Sequence, residues 1–306
     1  MTSFSVEDWR ALLMAASLLN IGAWAVAAAA VLRQRPPAEA SDIWLLRRSL
    51  LWLSAGYVLG CAYRSCWPVY DIPRVVLVDS WMSSVLVGRS VATVAELCFV
   101  AQWALLLRWA ARAFAARSVA AVAAALVPMA AVAEICSWYS VLSTSNLGHV
   151  FEESLWGLGA ALVTASLLRL RRHGTPSVRN ALLAGALVSG GYVAYMFTQD
   201  VPMYWARWLA DEAAGRAYLD LGQGLADVAG RRTVSSSWRD WGGEVAWMTA
   251  YFSLAVWLSI ALVHVPLPRG RQEALNKRTP ANGPRQLSAV AQAGASRPAR
   301  WRASRQ

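Results

Sequence analysis

Charge is scarce in this 306-residue chain. Asp, Glu, Lys and Arg make up only 15% of it, where a soluble domain carries about 25%. There is one lysine, Lys277, and it lies near the C-terminus. Without a lysine in any apolar run, a retinal Schiff base cannot form. Histidine is nearly absent as well, with His149, His173 and His264 the only three. That excludes the histidine clusters of a membrane di-iron centre, and His173 and His264 do not suit a facing haem pair. The four cysteines, Cys61, Cys66, Cys98 and Cys136, include no CxxC pair and no Cys/His ligand spacing. A zinc ribbon or thioredoxin-like centre is excluded, and the cysteines read as small apolar side chains. A disulfide between Cys66 and Cys136 remains open. HExxH, G-x-S-x-G, Walker and dinucleotide-binding motifs are all missing.

Apolar residues dominate instead. They reach 57%, with a mean hydropathy of +0.36. Runs long enough to cross about 30 Å of hydrocarbon, roughly 20 residues each, fall near 11–32, 46–67, 85–107, 118–142, 153–170, 180–199 and 245–265. The expected fold is all-α, a polytopic seven-transmembrane helix bundle spanning residues 1–265. Glu7 and Asp8 precede the first run, and Arg33 and Arg35 follow it, which suits a signal anchor better than a cleaved leader. Basic residues orient the bundle. Loops 33–48, 108–117 and 169–179, together with the tail, hold 20 of the 29 Lys and Arg residues. The expected topology is N-terminus outside and C-terminus inside, in the plasma membrane.

The formal net charge of +11 comes mainly from residues 266–306, where nine basic residues face Glu273 alone. That tail, rich in Pro, Arg, Gln, Ala and Ser, reads as disordered. Its expected partners are anionic headgroups of membrane lipids, and nucleic acid is excluded. Residues 200–243 read as a long outer segment, mostly an amphipathic surface helix marked by Trp205, Trp208, Leu209, Ala213, Leu219 and Leu225. Ser237 and Asp240 read as a capping box opening the last helix.

The informative residues are charges inside apolar runs, each costing about 2.5–3.5 kcal/mol at mid-membrane on insertion scales. Glu96 lies close to the middle of the third run. Arg89, Thr93 and Glu96 share one helix face. Glu134 stands in the outer half of the fourth run, beyond Pro128, which should kink that helix. Arg64, Arg89, Glu134, His149, Glu152, Glu153, Asp200 and Glu244 all map to the outer half or rim. Together they outline an outward-facing polar cavity floored near Glu96, with the 200–243 segment over it.

In that cavity Glu96, Glu134 and His149 are the candidate catalytic acids and bases. Arg64, Arg89, Glu153 and Glu244 are the candidate substrate-binding residues, the arginines holding an anionic headgroup. His149 with Glu152 or Glu153 has the i,i+3 and i,i+4 spacing to face one ion. One histidine among carboxylates assigns no metal, however, and no cofactor is indicated. Each group also has a plain structural reading. Arg89 and Glu134 can pair across helices, and Glu152 and Glu153 can sit at a helix start. Asp200 and Glu244 can be solvated at the interface, and Arg64 can reach outward. The functional expectation is a membrane-embedded enzyme acting on a lipid or isoprenoid-like small molecule. The alternatives are a proton-linked small-solute carrier, or a seven-helix sensor or scaffold.

Overall fold

The structure is a computed structural model that describes residues 4–34 and 41–268. The 266–306 tail, and with it the expected disorder and headgroup binding, lies almost wholly outside the described residues.

Seven long helical stretches pack side by side. Helix α1 (Val6–Leu32) starts from a capping box in which Ser5 and Asp8 satisfy one another's backbone N–H groups. Helix α2 (Ser41–Cys66) follows, then α3 (Val85–Ala113), capped by Ser84. Helix α4 (Arg117–Ser143) runs through Pro128 as one continuous helix. Helix α5 spans Leu147–Leu170, and α6 spans Pro176–Tyr195. A π-helical turn, Met196–Asp200, joins α6 directly to α7 (Val201–Ala213). The last stretch is α10 (Val245–Ala250), a π-helical turn (Tyr251–Ala255) and α11 (Val256–His264).

Among the described residues, five helices are long and apolar enough to cross a membrane: α1, α3, α4, the continuous Pro176–Ala213 and Val245–His264. The chain is a helical membrane protein. Helices α2 and α5 have similar length but are not among these five; α2 carries Arg47, Arg48 and Arg64, and α5 carries Glu152, Glu153 and Arg169.

Three features differ from expectation. The segment after residue 199 does not lie flat as one surface helix. It prolongs α6 to Ala213, because the wide π-helical turn before Pro202 accommodates a residue that cannot donate to the helical ladder. It then breaks into α8 (Leu221–Gly230) and the one-turn α9 (Trp238–Trp241). Ser237 caps α9 rather than the final helix, and Asp240 accepts from the Ser235 hydroxyl. Helix α5 begins at Leu147, so Glu152 and Glu153 lie inside it and not at its start.

Polar side chains tie the bundle where lipid offers no partner. Fully buried Gln102 donates to Leu50 O and Ser259 O and accepts from Ser259 Oγ, joining α3 to α2 and α11. Asn20 donates to Phe252 O, a carbonyl within the second π-helical turn. Arg47 caps the end of α11 by donating to Val263 O and Val265 O.

At one end of the bundle the loops knit together. Strands β1 (Val69–Tyr70) and β2 (Val75–Val76) pair antiparallel, and β3 (Thr233–Val234) adds parallel to β2. Arg74, at φ 61° and fully buried, donates to Asp227, Asp71 O and Val141 O. Helix α8 rests on the end of α4 so closely that a Cβ on Gly224 would strike Leu142 O. This knot covers the end of the bundle where the charged side chains collect.

Candidate functional site

Helices α3, α4 and α5 lie next to one another, and each turns acidic residues inward. Arg89, one turn into α3, extends along the helix to meet them. Its Nη2 lies 2.8 Å from Glu152 Oε1, 3.1 Å from Glu134 Oε2 and 3.4 Å from Glu96 Oε2. Its Nη1 lies 3.9 Å from Asp71 Oδ2 in the β1–β2 turn. Four acidic side chains therefore surround one guanidinium. Arg89, Glu134, Glu152 and His149 are all at least 94% buried.

Every acid but Asp71 is held by a further side chain. Tyr251 OH, opening the second π-helical turn, donates to Glu96 Oε1 at 2.8 Å. Thr93 donates to Glu134 Oε2 at 2.5 Å and accepts from Trp138 Nε1 at 3.1 Å. His149 Nδ1 lies 2.6 Å from Glu152 Oε2, while its backbone N–H donates to Ser140 Oγ. Its ring packs on Tyr204 with centroids 4.8 Å apart. Even so, Glu134 Oε1, Asp71 Oδ1 and Arg89 Nε are buried without a hydrogen-bond partner, an arrangement that costs about 1–3 kcal/mol per group or more when charged.

A second tier sits toward the knotted end. The Arg207 guanidinium lies over the rings of Tyr204 (5.4 Å) and Tyr70 (5.9 Å), and 3.9 Å from Glu244 Oε1. Trp247 Nε1 donates to Glu244 Oε2. Burial pushes the Glu244 carboxyl above its ordinary value, against the Trp247 hydrogen bond and the Arg207 charge. Burial likewise raises the Tyr70 phenol.

The structure thus gathers Glu96, Glu134, His149 and Arg89 at one point. Glu244 belongs to the rim tier. Glu153 forms no ion pair among the described residues. Arg64 stands apart: it is buried with its guanidinium 5.8 Å from the Phe252 ring centre, and its Nε has no partner. It does not reach outward. Arg89 is enclosed by carboxylates in this arrangement. Within the cluster, opposite charges close on one another. Two open spaces among the described residues lie away from the cluster, a cleft of about 680 Å³ beside Ser118, Arg169 and His173 and a groove of about 240 Å³ beside Trp103 and Leu182. All four cysteines are free thiols, so no disulfide joins Cys66 to Cys136.

Asp71 is the member that sequence reasoning missed. It sits in a loop without periodicity, and nothing local reveals that it approaches Arg89. Glu152, by contrast, is marked by its i,i+3 spacing from His149. No family model, curated protein or solved structure matches this chain.

Proposed function

We propose that the chain is a membrane-embedded enzyme acting on the polar end of a lipid or isoprenoid-like molecule, with the cluster around Arg89 as its working centre. The observation that carries this reading is the excess of acid: four carboxyl groups from three helices and a loop share one arginine inside the bundle. Helix packing alone needs one acid per arginine. A buried excess of negative charge is unfavourable unless protons or a cation meet it, and such an assembly suits chemistry on a substrate. A π-helical turn supplies Tyr251 to the centre, and insertions of that kind recur at functional sites. His149 orients Glu152, Thr93 orients Glu134 and Tyr251 orients Glu96. Substrate reaches the centre when the rim tier of Arg207, Glu244 and Tyr204 moves aside.

The topology belonging to this reading has seven spans in the plasma membrane, with the N-terminus and the knotted end outside and the basic loops and tail against anionic headgroups inside. Helices α2 and α5, of 26 and 24 residues, are about 36–39 Å long at 1.5 Å per residue, enough to cross. The same acid excess also favours a second reading, a proton-linked carrier of small solutes.

The test compares lipid extracts from cells expressing wild type or Glu96→Gln at equal membrane abundance. A lipid consumed or formed only with wild type is the expected result. Identical extracts, together with proton uptake into proteoliposomes that Glu96→Gln abolishes, would replace the enzyme with the carrier.

A further inference from the structure

We infer that Glu96, Glu134 and Glu152 form a site for one divalent cation of the Mg²⁺, Mn²⁺ or Ca²⁺ class, and that Arg89 is a tethered stand-in for that cation. The inference deepens the reading above and rests on the cluster being the working centre. One carboxylate oxygen from each glutamate lies within 4.8 Å of the other two. Oxygen ligands of such cations stand about 2.0–2.6 Å from the metal, so ligand oxygens on opposite sides are separated by about 4–5 Å. The three oxygens are therefore spaced to share one ion with little movement.

The nitrogen that now joins them is Arg89 Nη2, at 2.8, 3.1 and 3.4 Å. An ion and this nitrogen cannot occupy the same place. The guanidinium has a second acceptor within reach, since Nη1 is already 3.9 Å from Asp71 Oδ2 and Asp71 Oδ1 is buried with no partner. Moving Arg89 onto Asp71 would satisfy that oxygen and clear the three glutamates. Glu134 Oε1, also buried without a partner on a residue only 3% exposed, supplies a further donor atom. The donor set is all oxygen, which favours hard cations over zinc or copper. His149, through Nδ1 on Glu152 Oε2, takes the role of an outer residue that fixes a ligand's orientation.

Two charge states follow. With Arg89 among the glutamates the site is closed and has no external cation. With the cation bound and Arg89 on Asp71, the guanidinium moves toward the rim. A phosphate-bearing or carboxylate-bearing lipid head would then meet both a metal ion and an arginine, the pair that binds and polarises such groups.

The experiment titrates the purified full chain in nanodiscs with Mn²⁺, reading free Mn²⁺ by electron paramagnetic resonance. Wild type is expected to bind one Mn²⁺ per chain, competed by Mg²⁺ or Ca²⁺. Glu134→Gln and Glu152→Gln should weaken binding at least tenfold. Arg89→Gln, which removes the tethered competitor, should bind at least tenfold more tightly, and Mn²⁺ should raise its unfolding temperature more than that of wild type. A folded wild type that binds no Mn²⁺ at millimolar concentration overturns the inference. So does binding that both glutamine variants leave unchanged, or that Arg89→Gln weakens. Lipid conversion lost in Glu96→Gln without any Mn²⁺ binding would keep the working centre and remove the cation. Site-specific Mn²⁺ binding with unchanged lipids would keep the cation site and remove the enzyme.

Discussion

Arg89 and Glu152, 63 residues apart in sequence, meet at 2.8 Å between α3 and α5 with 7% and 4% of their side chains exposed. The pair sits at the centre of a five-residue charge cluster, so neither partner can be removed in isolation. Losing one side of a buried ion pair leaves the other uncompensated, at a cost of about 3–5 kcal/mol. Arg89→Met should therefore destabilise the metal-free protein by that order, measured by denaturant unfolding in detergent. A change below about 0.5 kcal/mol would show that the carboxyl groups do not depend on the guanidinium.

Gly148 precedes the key histidine and touches α4. A Cβ there would collide with Cys136 O and lie 2.7 Å from Ser140 Oγ, the atom that receives the His149 N–H. Gly148→Ala should cost about 1–3 kcal/mol through overpacking and lower activity further by shifting the turn that carries His149 and Glu152. Gly191, with open space around its Cβ position, is the control. Gly191→Ala should stabilise α6 by up to about 1 kcal/mol. Equal effects of the two substitutions on unfolding midpoints would disprove the close contact.

Glu244 lies just before α10 and is held above the ordinary carboxylate range chiefly by burial, helped by the nearby Asp71 and Asp200 and opposed by Trp247 and Arg207. The protonated form is therefore the one the folded state favours. Its contribution to stability is complete below the unfolded-state value near 4.3 and fades as pH rises through the folded-state value. Glu244→Gln should flatten this part of the stability–pH profile, gaining relative to wild type as pH is raised from 4 toward neutrality. Parallel profiles for the two proteins would disprove it.

Orientation can be read by labelling intact cells with a membrane-impermeant maleimide on a cysteine-free background. Ala214→Cys, exposed beyond α7, should label directly. Arg172→Cys, exposed after α5 at the basic end, should label only after permeabilisation. The reverse pattern would invert the topology.

The helical positions of the site were legible because a charge within an apolar run is conspicuous and helical spacing tells which charges share a face. Arg89, Thr93 and Glu96 follow that rule, as does His149 with Glu152. Asp71 and Arg74 escaped, since the β1–β2 loop has neither hydrophobic period nor motif. Arg64 was legible as an unusual residue but not in its role. The sequence left it either holding a headgroup or reaching outward, and only packing sets it against the Phe252 ring.

What the sequence by itself determined is the medium and the inventory. Scarce charge and long apolar runs make a helical membrane protein, because every backbone polar group in hydrocarbon must be satisfied within a helix. Single lysine and rare histidine remove whole classes of chemistry. Tertiary structure alone decided that the charges converge on Arg89, and that α6 runs on into α7. The physical reason is range. Hydropathy and periodicity act along one helix, whereas the pairing of a guanidinium with acids 45 and 63 residues away depends on which helices become neighbours and how each is turned.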